Sequence, residues 1–516
     1  MSSLPSFLAA ASGPRGPSHD QRAACRSALA GAVALAVALG VGRFAFTPLL
    51  PLMLAGGELD IRHGGWLASA NYAGYFVGAM TCARIAVDPA RMVRAGLAAT
   101  VLLTFAMGLA SPFWVWALVR FVGGAVSAWT FVFASQWGLR RVVEHGAPAW
   151  GGVIYTGPGI GIVATGLIGF ALAGRHAALG WIGFAAASAV LTAFVWRAFG
   201  AAGAGTDGGQ SRGGAKRAGD GVGVADAAGR AGERLAAGAT GAAEGAEAVA
   251  DAVSAANVAD TADTANSANS ANSANSANSA NSANSANSAT ATAERNSPVA
   301  GVAGQHGAMA APAARAPHVE SAAARRDAFW LVLLYGFPGF GYIITATFLP
   351  VIARAALPAH SRWPDLFWPM FGAALIAGAL LGARLPSGWD NRLLLGACCA
   401  VQALGVALGI VWPTAPGFAL GSALVGLPFT AITLFAMREA RRLRGERAAG
   451  LMGYATASYG VGQIAGPLAA APLAAHAGSF SPALWLAATM LAVGAAGFAA
   501  VALRAWRAKT RGGGVG

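Results

Sequence analysis

The sequence predicts an all-α integral membrane protein whose twelve transmembrane helices form two six-helix, pseudo-symmetric halves. Three observations carry this reading. The 516 residues are 56% hydrophobic and only 11% charged, whereas soluble domains average roughly 25% charged residues. Apolar runs long enough to cross a bilayer recur along the chain. A pattern in the first of these runs returns in the seventh.

Residues 1–26 are polar and rich in Ser, Pro and Arg. The stretch "SFLAAAS" within them is too short for a signal-peptide core. The first long run is therefore expected to stay as a membrane anchor behind a disordered cytoplasmic tail. Breaks at Gly, Pro and charge then mark a first half, 27–199, with spans near 27–53, 65–86, 93–110, 112–138, 148–173 and 178–198. A second half, 327–505, has spans near 328–354, 365–384, 391–412, 415–437, 448–473 and 482–504, and a cytoplasmic tail, 506–516, follows.

Between the halves, residues 200–326 have no apolar periodicity and contain eight tandem Ala-Asn-Ser triplets at 265–288. Such composition offers too little apolar surface to offset the entropy of ordering, so a disordered, low-complexity cytoplasmic linker is expected. A partner-binding module there would need aromatic anchors that the triplets lack.

Charge sets the orientation. One series of termini and connections holds Arg22 and Arg26, Arg84, Arg91 and Arg94, Arg140 and Arg141, and Arg325 and Arg326. The same series continues with Arg384 and Arg392, the cluster from Arg438 to Arg447, and Arg504, Arg507, Lys509 and Arg511. The alternate connections hold only Arg62, Arg175, Arg354 and Arg362. The positive-inside rule places the first series, and so both termini, in the cytoplasm, which requires an even number of spans. The net charge of +14 is thus spent on topology in short clusters and does not form a basic nucleic-acid face.

The halves repeat. "GVGRFAFTPLLPLM" (40–53) aligns without a gap on "GFGYIITATFLPVI" (339–352) at an offset of 299. Gly40 falls on Gly339, Gly42 on Gly341, and Leu50-Pro51 on Leu349-Pro350. At the same offset Tyr155 falls on Tyr454 and Gly161 on Gly460. One residue further on, "GAMTCAR" (78–84) lies on "GALLGAR" (378–384). Two parallel six-helix halves describe the major facilitator architecture. "LVRFVGGAVSA" (118–128) resembles the helix-four motif of that superfamily, with Arg120 at its arginine and Gly124 at its glycine. "GPGIGI" (157–162) sits where its helix-five motif is expected. Gly78, Arg84, Asp88 and Arg91 keep the flavour of the motif between helices two and three, with altered spacing.

Together "GxGRFxxTPLLPLM", "GWLASANYAGYFVGA" and "YGVGQIAGPLAA" make the chain resemble the YbfB/YjiJ family of facilitator-type transporters, over all but the N-terminal tail and the central insert. The resemblance implies a secondary active transporter of the cell inner membrane, working by rocker-switch alternating access, and leaves its solute open. That the solute is small and anionic or polar is the expectation drawn from the residues themselves. The resemblance also implies that helices 1, 4, 7 and 10 line the cavity. A drug or metabolite efflux carrier of the same fold, or a transporter-like sensor, stays open.

Candidate solute contacts are polar groups at interior depth, where an unpaired polar group is disfavoured. At 1.5 Å per residue, Arg43 lies roughly 24 Å along the first span and Arg120 roughly 12 Å into the fourth from the opposite face, so the two share a depth. Two arginines at one depth suit an anionic group. The competing readings are that Arg43 snorkels to the outer headgroups and that Arg120 bonds carbonyls of a neighbouring helix. Asn71, Tyr342 and Gln463 are large enough to reach a solute, and Tyr75 lies at interior depth too. Thr47 either does the same or bonds back to its own helix near Pro48 and Pro51, which are expected to bend that helix. Gly157, Gly159 and Gly161, with Pro158, suit close packing and a pivot.

All 21 acidic residues fall in loops, tails or helix ends, so protons, the usual coupling ion, have no obvious buried relay. The four cysteines (Cys25, Cys82, Cys398, Cys399) form no CxxC pair or metal spacing, and the eight histidines are scattered. No catalytic set, metal site or cofactor is expected. The expected partners are a small solute and the lipid bilayer, with the chain acting as a monomer.

Overall fold

The computed structural model describes residues 19–85, 87–147, 150–200, 322–382, 385–386, 388–445 and 448–512. The expected N-terminal tail up to residue 18, and most of the expected linker, lie outside the described residues. The chain divides into two units, Met1–Val253 with Arg326–Gly516, and Ser254–Arg325. The second contributes only its last four residues to what is described.

The first half is built of α1 (His19–Leu35), a π-helical turn (Ala36–Val41), α2 (Phe46–Ala55), α3 (Ile61–Thr81), α4 (Pro89–Leu109), α5 (Phe113–Glu144), α6 (Gly151–Ile154), α7 (Gly157–Ala171) and α8 (Ala177–Trp196). The second half holds α9 (Ala322–Ala356), α10 (Trp363–Gly382), α11 (Asn391–Val411), α12 (Ala415–Gly426), α13 (Phe429–Arg444), α14 (Ala448–Ala477) and α15 (Ser481–Gly512). The described residues contain no strand. Helix starts are set by side chains that satisfy orphan amides. Asp60 accepts from the His63 amide, Asp88 from Arg91, Asp390 from Arg392 and Thr414 from Gly417. Gly57 (φ 69°) and Gly478 (φ 66°) supply the left-handed residue after α2 and α14. Asp88, part of the altered helix-two/three motif, acts here as a cap.

Among the described residues, ten helical segments are long and apolar enough to cross a membrane. The α1–α2 path counts as one of them, as do the α6–α7 and α12–α13 pairs. The other two helices at expected positions, α3 with 21 residues and α14 with 30, are of spanning length but less apolar. The reason is visible in their packing. They lie against each other across the two halves, where small and polar residues meet a helix instead of lipid. A Cβ on Gly65 would stand 2.5 Å from the Ala471 Cβ and 2.8 Å from the Pro467 carbonyl oxygen. Ser69 Oγ donates to the Ile464 carbonyl at 2.8 Å. A second seam joins α7 to α10, with Gly166 against Pro369 and Gly372 against Ile162.

Within each half the first and fifth passes touch at glycines. A Cβ on Gly40 would lie 2.4 Å from Gly161 Cα, and one on Gly339 would lie 2.4 Å from the Tyr459 carbonyl oxygen. The pseudo-symmetry stops at the first pass itself. Helix α9 runs unbroken through Pro338 and Pro350, whereas its counterpart opens into a π turn and a four-residue bend before α2. Pro48 lies in the first turn of α2 and Pro51 inside it, and the break falls just upstream, where Pro48 has no amide to give the Phe44 carbonyl. Helices α1 and α15 also run past the apolar cores of their spans, to His19 and Gly512. An apolar run measures the bilayer crossing, while a helix can continue into water.

Candidate functional site

The site begins with the irregular stretch of the first pass. The Gly42 amide reaches back to the Val37 carbonyl and the Phe44 amide to the Leu39 carbonyl, each at 3.0 Å, in the i→i−5 pattern of a π turn. The helix widens there and Arg43 follows. Its side chain is 1% exposed. Arg43 Nη2 donates to Gln463 Oε1 of α14 at 3.0 Å, and Gln463 Nε2 donates to the Tyr342 hydroxyl of α9. The guanidinium carbon lies 4.1 Å from the ring centre of Tyr75, 5.1 Å from Tyr72 and 5.3 Å from Phe44. Arg43 Nε and Nη1 are buried with no hydrogen-bond partner.

Magnitudes decide what this means. Removing an ion from water costs several kcal/mol. One hydrogen bond to a charged group offsets about 1.5–3 kcal/mol, and a desolvated cation over an aromatic face about 2 kcal/mol. Arg43 has both and still keeps two donors idle. Snorkelling to a headgroup does not describe this side chain.

Arg120, on α5, is 3% exposed and faces the backbone of that same bend. Its Nη1 donates to the Gly42 carbonyl at 3.3 Å and its Nη2 to the Arg43 carbonyl at 3.2 Å. Its guanidinium lies 4.8 Å from the Phe46 ring centre. The Thr47 amide turns to the Phe44 carbonyl instead of the Arg43 carbonyl that a regular helix would give it, and Arg120 takes up that oxygen. Asn71 Nδ2 donates to the Arg120 carbonyl at 2.8 Å, while Asn71 Oδ1 and Arg120 Nε are without partners. Thr47 does not bond back to its own helix. Its hydroxyl donates to the Ala346 carbonyl of α9 at 3.1 Å.

The structure thus brings Arg43, Tyr75, Tyr342 and Gln463 together at the seam between the halves. Arg120 and Asn71 stand behind them, and Thr47 forms a neighbouring tie. Sequence reasoning missed the aromatic frame. Tyr72 lies beside Arg43, and its hydroxyl meets Thr347 Oγ1 at 3.1 Å. Tyr342 stacks on Tyr459 with centroids 5.8 Å apart, and Tyr459 stacks on Tyr335 at 4.8 Å. Phe44 packs against Trp368. A usable signal existed, because the chain has only seven tyrosines and five of them fall in this cluster. A small cavity beside Arg120, lined by Gly42, Thr100, Thr104 and Trp181 among others, has room for about one water.

Both ends of the bundle carry ion pairs. At the arginine-poor end Arg354 pairs with the buried Asp365. There Arg362 crosses between the halves, donating to the Phe170 carbonyl at 2.6 Å with its guanidinium 3.8 Å from that ring. At the arginine-rich end Arg392 is 8% exposed. It reaches Asp390 at 2.8 Å, Asp327 at 3.5 Å and Glu439 at 3.7 Å, and Arg442 meets Glu439 at 2.6 Å. Burial pushes the Asp390 carboxyl up, but hydrogen bonds from Arg392 outweigh it and hold that group below the usual carboxylate range. Among the described residues no three His, Cys, Asp or Glu side chains gather in a way that could hold a metal ion.

The profile of a family described as "Uncharacterised MFS-type transporter YbfB" matches residues 35–219 and 282–498, and the chain belongs to that family. It is accordingly a multi-pass membrane transporter of the major facilitator type. Among solved structures, a crystal structure of the nucleoside transporter NupG is similar, with 12% identity and a TM-score of 0.58 over 92% of this chain and 99% of that one. Likeness at that identity concerns the fold. No curated protein matches the chain.

Proposed function

We propose that this transporter is a secondary carrier for a small anionic solute, exposed alternately to the two sides of the cell inner membrane by rocking of its two halves. The observation that carries the reading is Arg43. It is a fully buried cation at the seam, tied to the opposite half by one hydrogen bond and left with two idle donors. Arg43 is the receptor for the anion. Arg120 positions it by holding the carbonyls of the bend on which it stands. Asn71, Tyr75 and Tyr342 complete the surroundings, and Gln463 is the group that the solute meets on Arg43.

The arginine-rich end faces the cytoplasm, as the positive-inside rule directs. The Arg362–Phe170, Thr47–Ala346 and Ser69–Ile464 contacts then belong to a state shut on the outer side. When the halves part there, the solute reaches Arg43. Reporter fusions at residues 205 and 360 check the orientation. Opposite signals are expected, and a cytoplasmic signal at both overturns it.

The direct test is a thermal-shift screen of the purified full chain with anionic, neutral and cationic metabolites, because a ligand that binds the folded state raises its stability by mass action. Anions are expected to shift wild type and to lose that effect in Arg43→Gln. A cationic hit, or an anionic hit indifferent to Arg43→Gln, overturns the reading.

A further inference from the structure

Resting on the carrier reading above, the geometry points to a narrower class of solute: we infer that the site takes a flat, aromatic monocarboxylate, which displaces Gln463 from Arg43. The argument starts at the guanidinium. Its three nitrogens form two forks that share Nη2, one with Nη1 and one with Nε. Gln463 Oε1 occupies Nη2 alone, at 3.0 Å, and the outer nitrogen of each fork is idle. The amide oxygen here holds one donor and carries no charge. A carboxylate in the same place takes either whole fork, and such bidentate pairs are both stronger and more directional. Gln463 is therefore a weak internal stand-in that a carboxylate outcompetes and a neutral amide does not.

The charge count sets one carboxylate. Arg120 spends Nη1 and Nη2 on backbone carbonyls, so the site holds one cation with a fork to give. No carboxylate of the described residues lies within ion-pair distance of either arginine, so a zwitterion's ammonium would enter unpaired. A second carboxylate on the solute would likewise lack a partner.

The body of the solute follows from the walls. One half offers Phe44, Tyr72 and Tyr75 around the cation, and the other offers Tyr342 on its stack of tyrosines. Idle acceptors here are few, Asn71 Oδ1 being one, so a polyol would be dehydrated without replacement bonds. Rings on both sides of a parted seam suit an aromatic plate.

Benzoate is the probe. Its binding to the purified full chain is measured by thermal shift and calorimetry beside benzamide, acetate, terephthalate and phenylalanine. Saturable binding of benzoate is expected, with each of the other four at least tenfold weaker. Arg43→Gln should bring benzoate down to the level of benzamide. Gln463→Leu, which removes the stand-in and leaves the receptor, should tighten benzoate severalfold. The opposite signs of these two variants separate displacement from general damage to the fold. Equal binding of benzoate and benzamide overturns the inference, as does weakening of benzoate by Gln463→Leu. Binding and proteoliposome flux of uridine or terephthalate in place of benzoate also overturn it, while leaving a carrier. Benzoate binding without flux of any solute supports the site and sinks the carrier reading instead.

Discussion

The two halves treat buried arginine in opposite ways. In the first half Arg43 and Arg120 lie deep in the bundle with carbonyls, an amide and aromatic faces for company, and no carboxylate among the described residues. In the second half Arg392 lies near one end, surrounded by Asp390, Asp327 and Glu439. The repeat shows how this arose. Asp88 and Asp390 cap corresponding helices, but the residue 299 places before Glu439 is Arg140, so the first half has no buried acid there. Likewise the partner of Gln463 at that offset is Ala164. Paired arginine belongs to stability, because the compensation is internal. On the proposed function, Arg43 serves transport, because the compensation its idle donors lack comes from a visitor.

The comparison can be broken most directly at Arg392. Arg392→Met strands Asp390 and leaves Asp327 and Glu439 to Arg326 and Arg442, and breaking a buried ion pair from one side costs about 3–5 kcal/mol. A large drop in the thermal midpoint of the detergent-solubilised protein is expected, and a midpoint equal to wild type would deny the cluster its structural role. Arg120→Met comes next. It orphans the Gly42 and Arg43 carbonyls, at about 1–3 kcal/mol for a buried group left unsatisfied, and frees the bend. Stability and anion affinity should fall together, with Arg120→Lys restoring part of both; a fall in neither contradicts the positioning role.

Arg43→Gln sharpens the contrast. It removes a cation with no acidic partner, so stability should change by less than about 1 kcal/mol. Affinity for an anionic solute should nonetheless fall by about one to two decades, the worth of a charge-assisted contact of roughly 1.5–3 kcal/mol. A loss of stability as large as that of Arg392→Met would erase the distinction between the halves. The smallest effect is expected from deleting residues 262–292. The Ala-Asn-Ser triplets there carry no apolar anchor, so neither the amount of protein in the membrane nor its transport should change. Loss of membrane-inserted protein would show that the tract supports one of the halves.

Much of this was legible beforehand for a physical reason. A bilayer imposes a length and a polarity on every crossing, and the apolar runs record both. The same rule hid the character of α3 and α14, since helices that face each other can carry Gly65, Ser69 and Ala471 where lipid-facing helices need bulk. Arg43 and Arg120 stood out in the sequence because a charge at that depth is expensive. Tyr72, Tyr459 and Trp368 did not, because a ring in an apolar helix looks the same whether it faces lipid or a cation.

The sequence by itself determined the membrane class, the twofold repeat, the family and the presence of two uncompensated arginines at one depth. These are properties of composition and spacing along a chain whose solvent is known. Only the tertiary structure decided that Arg120 serves the backbone of the first pass while Arg43 reaches across to Gln463. That division depends on which carbonyls a π turn and a bend leave open. It also depends on which helix of the other half packs opposite, and neither is encoded within hydrogen-bond range along the chain.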